Sequence, residues 1–112
     1  EYRSPDPACN PYLAFAVMLA AGLEGIEKGY PLPEPIEQNV FALSEEERSS
    51  LGIETLPENL HDAIRLAEKS ELLKKTLGKH VLEKLIENKE SEWQKFKAQV
   101  TQWELEQYFP VL

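Results

Sequence analysis

From Tyr12 to Leu23 the chain reads YLAFAVMLAAGL, twelve residues without a charge. Its large apolar side chains, Leu13, Phe15, Val17, Met18, Leu19 and Leu23, fall on every side of a helix rather than along one stripe. A helix of that kind is stable only when covered on all sides. Asn10 supplies a capping side chain at its start, and Pro11 stands where a missing N–H costs nothing. Gly29 is placed to end it. The pattern therefore predicts a buried helix over 10–29, and the rest of the chain is too amphipathic to cover it. A larger partner is expected.

The polar and apolar positions change register after that helix. Residues 30–43 carry Pro31, Pro33 and Pro35 at alternate positions, which predicts a stiff, extended loop lying over a surface. From 44 to 100 the spacing is that of amphipathic helices. Ser44 with Glu47 forms a capping box ahead of a short helix that stops at Gly52. Asn59 with Asp62 starts the next, with Leu60, Ile64 and Leu66 for packing. Ser70 interrupts it, and Glu71 to Leu77 resumes as far as Gly78. A last long helix begins near Lys79, where Leu82, Leu85, Ile86, Trp93, Phe96 and Val100 recur at spacings of three, four and seven. Thr101 with Glu104 makes a further capping box for the segment 101–112, rich in aromatics. Residues 1–9, with Pro5 and Pro7, read as extended and irregular. No strand pair appears, so the fold class is mainly α.

Composition narrows the function classes. The 112 residues are 42% hydrophobic, enough for one domain with a core. Twelve Lys and Arg against twenty Asp and Glu give a net charge of −8, which excludes nucleic acid and anionic membrane as partners. The apolar run at 12–23 is too short to span about 30 Å of hydrocarbon, and it does not follow a basic segment as a signal peptide would. The single cysteine, Cys9, has no partner for an internal disulfide, which fits the cytoplasm.

Little of the common catalytic chemistry is present. The chain has no phosphate-binding glycine loop, HExxH, CxxC or nucleophile elbow. His61 and His80 lack ligand spacing and read as residues of exposed helix faces. Glu1 and Arg3 stand two positions apart, so in an extended segment both point to one side. A carboxylate beside a guanidinium suits a hard divalent cation together with an anionic substrate; an exposed ion pair of little value is the other reading.

The string EYRSPDPACNPYLAFAVMLAAGLEGIEKG, with its acid-x-Arg, its P-D-P-x-x-N-P-Y-L-x-F-A and its closing G-L-x-G-I, resembles the C-terminal part of the catalytic domain of type I glutamine synthetases of bacteria and archaea. The similarity continues through SLGIETLPENLHDAI, LGKHVLEKLIENKESEW and QVTQWELEQY, where it looks most like the Gram-positive and archaeal branch.

The resemblance implies a mainly α, helical C-terminal region carrying a short extended segment, residues 1–9, left from the last strand of a catalytic barrel. It implies an enzyme that ligates L-glutamate and ammonia with ATP through γ-glutamyl phosphate, of which this chain alone is an inactive piece. By matching, Glu1 is a ligand of an active-site Mg²⁺ or Mn²⁺, and Arg3 binds L-glutamate. ATP and the metals belong to the full-length enzyme, with none expected on the fragment. Phe41 stands where the branch regulated by adenylylation carries its modifiable tyrosine, so that modification is not expected, and Phe41 is read as packing the loop down. Trp103, Leu105, Tyr108, Phe109 and Val111 suit a docking tail that reaches into the opposite ring of a double-ring homo-oligomer. The implied partners are the rest of the synthetase chain, neighbouring subunits and a regulatory protein at that tail. The alternative is a free-standing helical interaction module derived from the same family.

Overall fold

The computed structural model describes residues 3–111. Two compact units emerge, residues 1–58 and 59–112. Among the described residues there is no strand, and the architecture is mainly α.

The first unit is dominated by α1 (Pro11–Lys28). Asn10 caps it as the sequence pattern predicts: its Oδ1 accepts from the N–H groups of Tyr12 (3.0 Å) and Leu13 (3.3 Å). At the other end Gly29 adopts φ 61° and ψ 46°, a left-handed conformation that glycine takes without a Cβ penalty. The Gly29 N–H then reaches the Ile26 carbonyl and the Tyr30 N–H reaches Gly25, which satisfies two carbonyls that the helix leaves open. The turn lays the Tyr30 ring against the helix end, where its hydroxyl donates to Glu24 (3.2 Å) and Lys28 Nζ stands 5.8 Å from the ring centre. The bond from Lys28 to Glu24, more than any other contact, holds the ammonium pKa above its ordinary value.

No residue of α1 is buried. Phe15 is 68% exposed and Leu19 65%. The described residues do not supply the cover that this all-apolar helix demands. Beyond α1, a single 3-10 turn, Val40–Ala42, is capped by Asn39, and α2 (Glu45–Ser50) follows. The Ser44–Glu47 capping box forms in both directions: Ser44 Oγ accepts from the Glu47 N–H at 3.2 Å, and Glu47 Oε2 accepts from the Ser44 N–H at 2.7 Å.

The second unit packs α3 (Leu60–Lys69) against α4 (Glu71–Lys97). Ser70 serves both helices, ending α3 and accepting from the Leu73 N–H to start α4. Within α4 the chain bends at Gly78, whose φ of 74° and ψ of 161° are non-helical. That region is open essentially to glycine alone. The bend turns the second leg of α4, and Leu82 on it is buried with Ile64 of α3 at 6% and 3% exposure. These are the only buried hydrophobic side chains among the described residues. Leu66, Phe96 and Val100, which the helical spacing puts among the packing positions, are instead exposed. A chain of this length with so small a core leaves most of its apolar surface in water. Finally α5 (Gln102–Tyr108) runs into a 3-10 turn, Phe109–Val111.

Candidate functional site

The segment that leads into α1 carries the residues to which the sequence attaches chemistry. Glu1, the expected metal ligand, lies outside the described residues. Arg3 is exposed in backbone that is neither helix nor strand. Between Arg3 and the helix the chain makes one tight turn. Asp6 Oδ1 accepts from the Ala8 N–H at 2.7 Å, and the Asp6 carbonyl accepts from the Cys9 N–H at 3.0 Å. Aspartate at the first position and proline at the second suit such a turn, because the side chain mimics a backbone acceptor and the ring presets φ. One residue later the Asn10 cap begins α1. Two consecutive side-chain-to-backbone locks, at Asp6 and at Asn10, thus lead from a point three residues beyond Arg3 into the helix. The Asp6 lock was not among the sequence expectations, although the Pro-Asp-Pro triplet carries its signal.

Phe41 occupies the middle of the 3-10 turn after the proline loop, its N–H donating to Asn39 Oδ1 at 3.1 Å. It does not pack the loop down as the sequence reading expects. Its side chain is 93% exposed, on a turn held by the Asn39 cap. The position offers a ring at the surface without a hydroxyl.

The tail residues come together on a short, self-bonded element. Thr101 Oγ1 accepts from the Glu104 N–H (3.2 Å), while Glu104 Oε2 accepts from the Thr101 N–H (2.8 Å), closing a second capping box. Gln102 donates to Glu106 one turn on (2.9 Å). Trp103 meets Tyr108 edge to face at 6.0 Å. Trp103, Leu105, Tyr108, Phe109 and Val111 all remain exposed, Val111 at 78%. These side chains form an exposed apolar cluster on one short element.

Other candidate chemistry does not assemble. Among the described residues no three His, Cys, Asp or Glu side chains converge on a point that could hold a cation. These residues do not build a metal site by themselves. Cys9 is exposed and free. His61 departs from the expected exposed-face role, for it is half-buried and stacks on Trp93. A groove of about 680 Å³ opens on the second unit beside Leu82 and Ile86. The charged groups at its rim are engaged along their own helix, Lys74 with Glu71 at 2.6 Å and Lys79 with Glu83 at 3.8 Å. No helix among the described residues is long and apolar enough to cross a membrane.

The comparisons with known proteins bear on the whole of this arrangement. Residues 1–108 match the family described as glutamine synthetase, catalytic domain. The chain is 55% identical over 108 residues to the glutamine synthetase of Methanocaldococcus jannaschii, covering 96% of this chain and 24% of that protein. It is 51% identical to that of Mycolicibacterium smegmatis over the same shares. For the Thermotoga maritima protein the identity is 46%, with 96% of this chain and 25% of that one aligned. The chain thus spans about a quarter of the length of the curated relatives it matches. With its Arg3 segment, its apolar α1 and its tail as far as Tyr108 inside residues 1–108, the chain belongs to the glutamine synthetase family, and the match is to that family's catalytic domain.

Proposed function

We propose that this chain works as the helical C-terminal part of a glutamine synthetase, which joins L-glutamate and ammonia at the expense of ATP. The observation that carries the reading is identity of about half of all positions with synthetases of methanogens and mycobacteria, sustained over nearly the whole chain. The exposed faces of α1 add support, since they call for a larger body to cover them.

In this reading a γ-carboxylate oxygen of glutamate attacks the γ-phosphorus of ATP, the bond to the bridging oxygen breaks, and ADP leaves. Ammonia then attacks the acyl carbon, its nitrogen loses a proton, and inorganic phosphate departs. Arg3 contributes by binding: its planar guanidinium donates two parallel hydrogen bonds to a carboxylate of glutamate and sets its orientation. Glu1 would be one ligand of the Mg²⁺ or Mn²⁺, which when bound would supply positive charge to offset that of the carboxylate and the phosphates. The remaining groups come from other parts of the enzyme, so the 112 residues alone are inactive. Phe41, having no phenolic oxygen, cannot be adenylylated. The tail from Thr101 onward docks on another subunit of a double-ring assembly and offers a regulatory protein its contact. The assembly works in the cytoplasm.

The test is kinetic. In the full-length synthetase containing this segment, Arg3→Ala is expected to raise the glutamate KM about 10- to 100-fold, the loss of a charge-assisted hydrogen bond, with the ATP KM little changed. An unaltered glutamate KM would remove the assignment.

A further inference from the structure

We propose that Asp6 is the positioning residue for Arg3. The proposal rests on the reading of Arg3 as the glutamate-binding residue and says what holds that residue in place. Arg3 sits in backbone without helix or strand, three residues ahead of the turn and seven ahead of the Asn10 cap. Between it and Asp6, Pro5 has no N–H to offer, and Pro7 beyond Asp6 has none either. The turn that follows is closed by the bond from the Ala8 N–H to Asp6 Oδ1 (2.7 Å) and by the backbone bond from the Cys9 N–H to the Asp6 carbonyl (3.0 Å). The turn in turn abuts the Asn10 cap, whose two bonds tie it to α1. Asp6 is exposed and accepts the Ala8 N–H through Oδ1, so the contact asks of it an acceptor oxygen, which an asparagine also carries. A contact made equally in the ground and transition states appears in KM and not in kcat, so a loosened Arg3 registers in glutamate binding.

The experiment uses the full-length synthetase with Asp6→Ala, Asp6→Asn and, as the control for the underlying reading, Arg3→Ala. Glutamate KM, ATP KM, kcat and melting temperature are measured for each. Asp6→Ala is expected to raise the glutamate KM about tenfold while kcat and the ATP KM stay within about twofold of the parent. Asp6→Asn, which keeps Oδ1 and drops the charge, is expected to restore the parent value. If Arg3→Ala weakens glutamate binding and Asp6→Ala does not, the positioning role is wrong and the binding role of Arg3 stands. If Asp6→Asn is as impaired as Asp6→Ala, charge is what matters and the proposal falls. An Asp6→Ala enzyme that fails to assemble, or loses all parameters together with its melting temperature, would place the bond in folding and also overturn it. An Arg3→Ala enzyme with normal glutamate binding would sink the reading beneath.

Discussion

The imidazole of His61 lies almost parallel to the indole of Trp93, ring centres 5.8 Å apart and planes inclined by 19°. The two residues are far apart in sequence, and their contact joins the first turn of α3 to the last turns of α4. Phe96 extends the cluster, 5.8 Å from Trp93. With a core of so few side chains, the stack is a main tie within its unit. His61→Ala is expected to lower the stability of the second unit by about 1 kcal/mol, the value of an aromatic pair beyond its buried area. Ile64→Ala is expected to cost more, about 2–4 kcal/mol, since it empties a buried site. Urea unfolding of the 112-residue chain followed by far-UV circular dichroism would rank the two.

Gly78 makes a sharper prediction. A Cβ built there meets nothing within 4 Å, so a larger residue would not clash; the obstacle is the backbone conformation alone. Gly78→Ala is expected to destabilise the bend by about 1–3 kcal/mol, the strain of an L residue in that region. A D-alanine at the same position should be tolerated. Circular dichroism during urea unfolding would report both, and equal stability of the L-alanine variant would disprove the account.

The capping boxes give the chain a pH response. Backbone N–H donation from Ser44 to Glu47, and from Thr101 to Glu104, holds each carboxyl below its ordinary value of 4.5. A group whose pKa is depressed on folding adds stability above its unfolded pKa and loses it as pH falls through the folded value. Helix α5 should therefore fray as the pH drops from about 4.5 downward, and remain intact above it. Glu104→Gln retains an acceptor oxygen without the ionisation, so its amide shifts at residues 102–105 should be flat across that range. Continued titration of those amides in the Glu104→Gln protein would show another group to be responsible.

The apolar faces of α1 predict a contrast between two contexts. In the isolated chain Phe15→Glu and Leu19→Glu touch exposed side chains, so each should change unfolding by less than about 0.5 kcal/mol. In the full-length synthetase the proposed cover over the helix would make the same changes bury an unpaired charge, and they should prevent stable folding. Equal tolerance in both would mean that α1 is not covered there. Differential scanning calorimetry of both forms would decide.

How much of this was legible in the sequence depends on the range of the interaction. Asn10, Gly29, Ser44, Gly78 and Thr101 act within a few residues of themselves, through caps and turns whose chemistry is printed in the local order of side chains. The helix ends and the bend of α4 follow from them. Helical spacing selected Leu82 and Ile64 as packing residues, but it also selected Leu66, Phe96 and Val100. Periodicity marks a face and does not say whether a neighbour reaches it. The His61–Trp93 stack was illegible for the opposite reason, being a meeting of distant turns. Phe41 shows a third limit: the absence of a phenolic oxygen at that position favoured a packing role, and the ring is instead 93% exposed. The chemistry attached to Glu1 and Arg3 came from the long motif they open, since two residues at a spacing of two specify very little.

One consequence follows from the way the last segment is held. The bonds that shape residues 101–111 run between members of that segment, each spanning only a few positions. Contacts of so short a span form in about a microsecond, far ahead of any encounter between subunits. Under the docking role proposed above, the tail would re-form its local bonds faster than it meets a receiving surface. Speed of assembly would then be governed by collision and orientation, not by waiting for a floppy end to order itself.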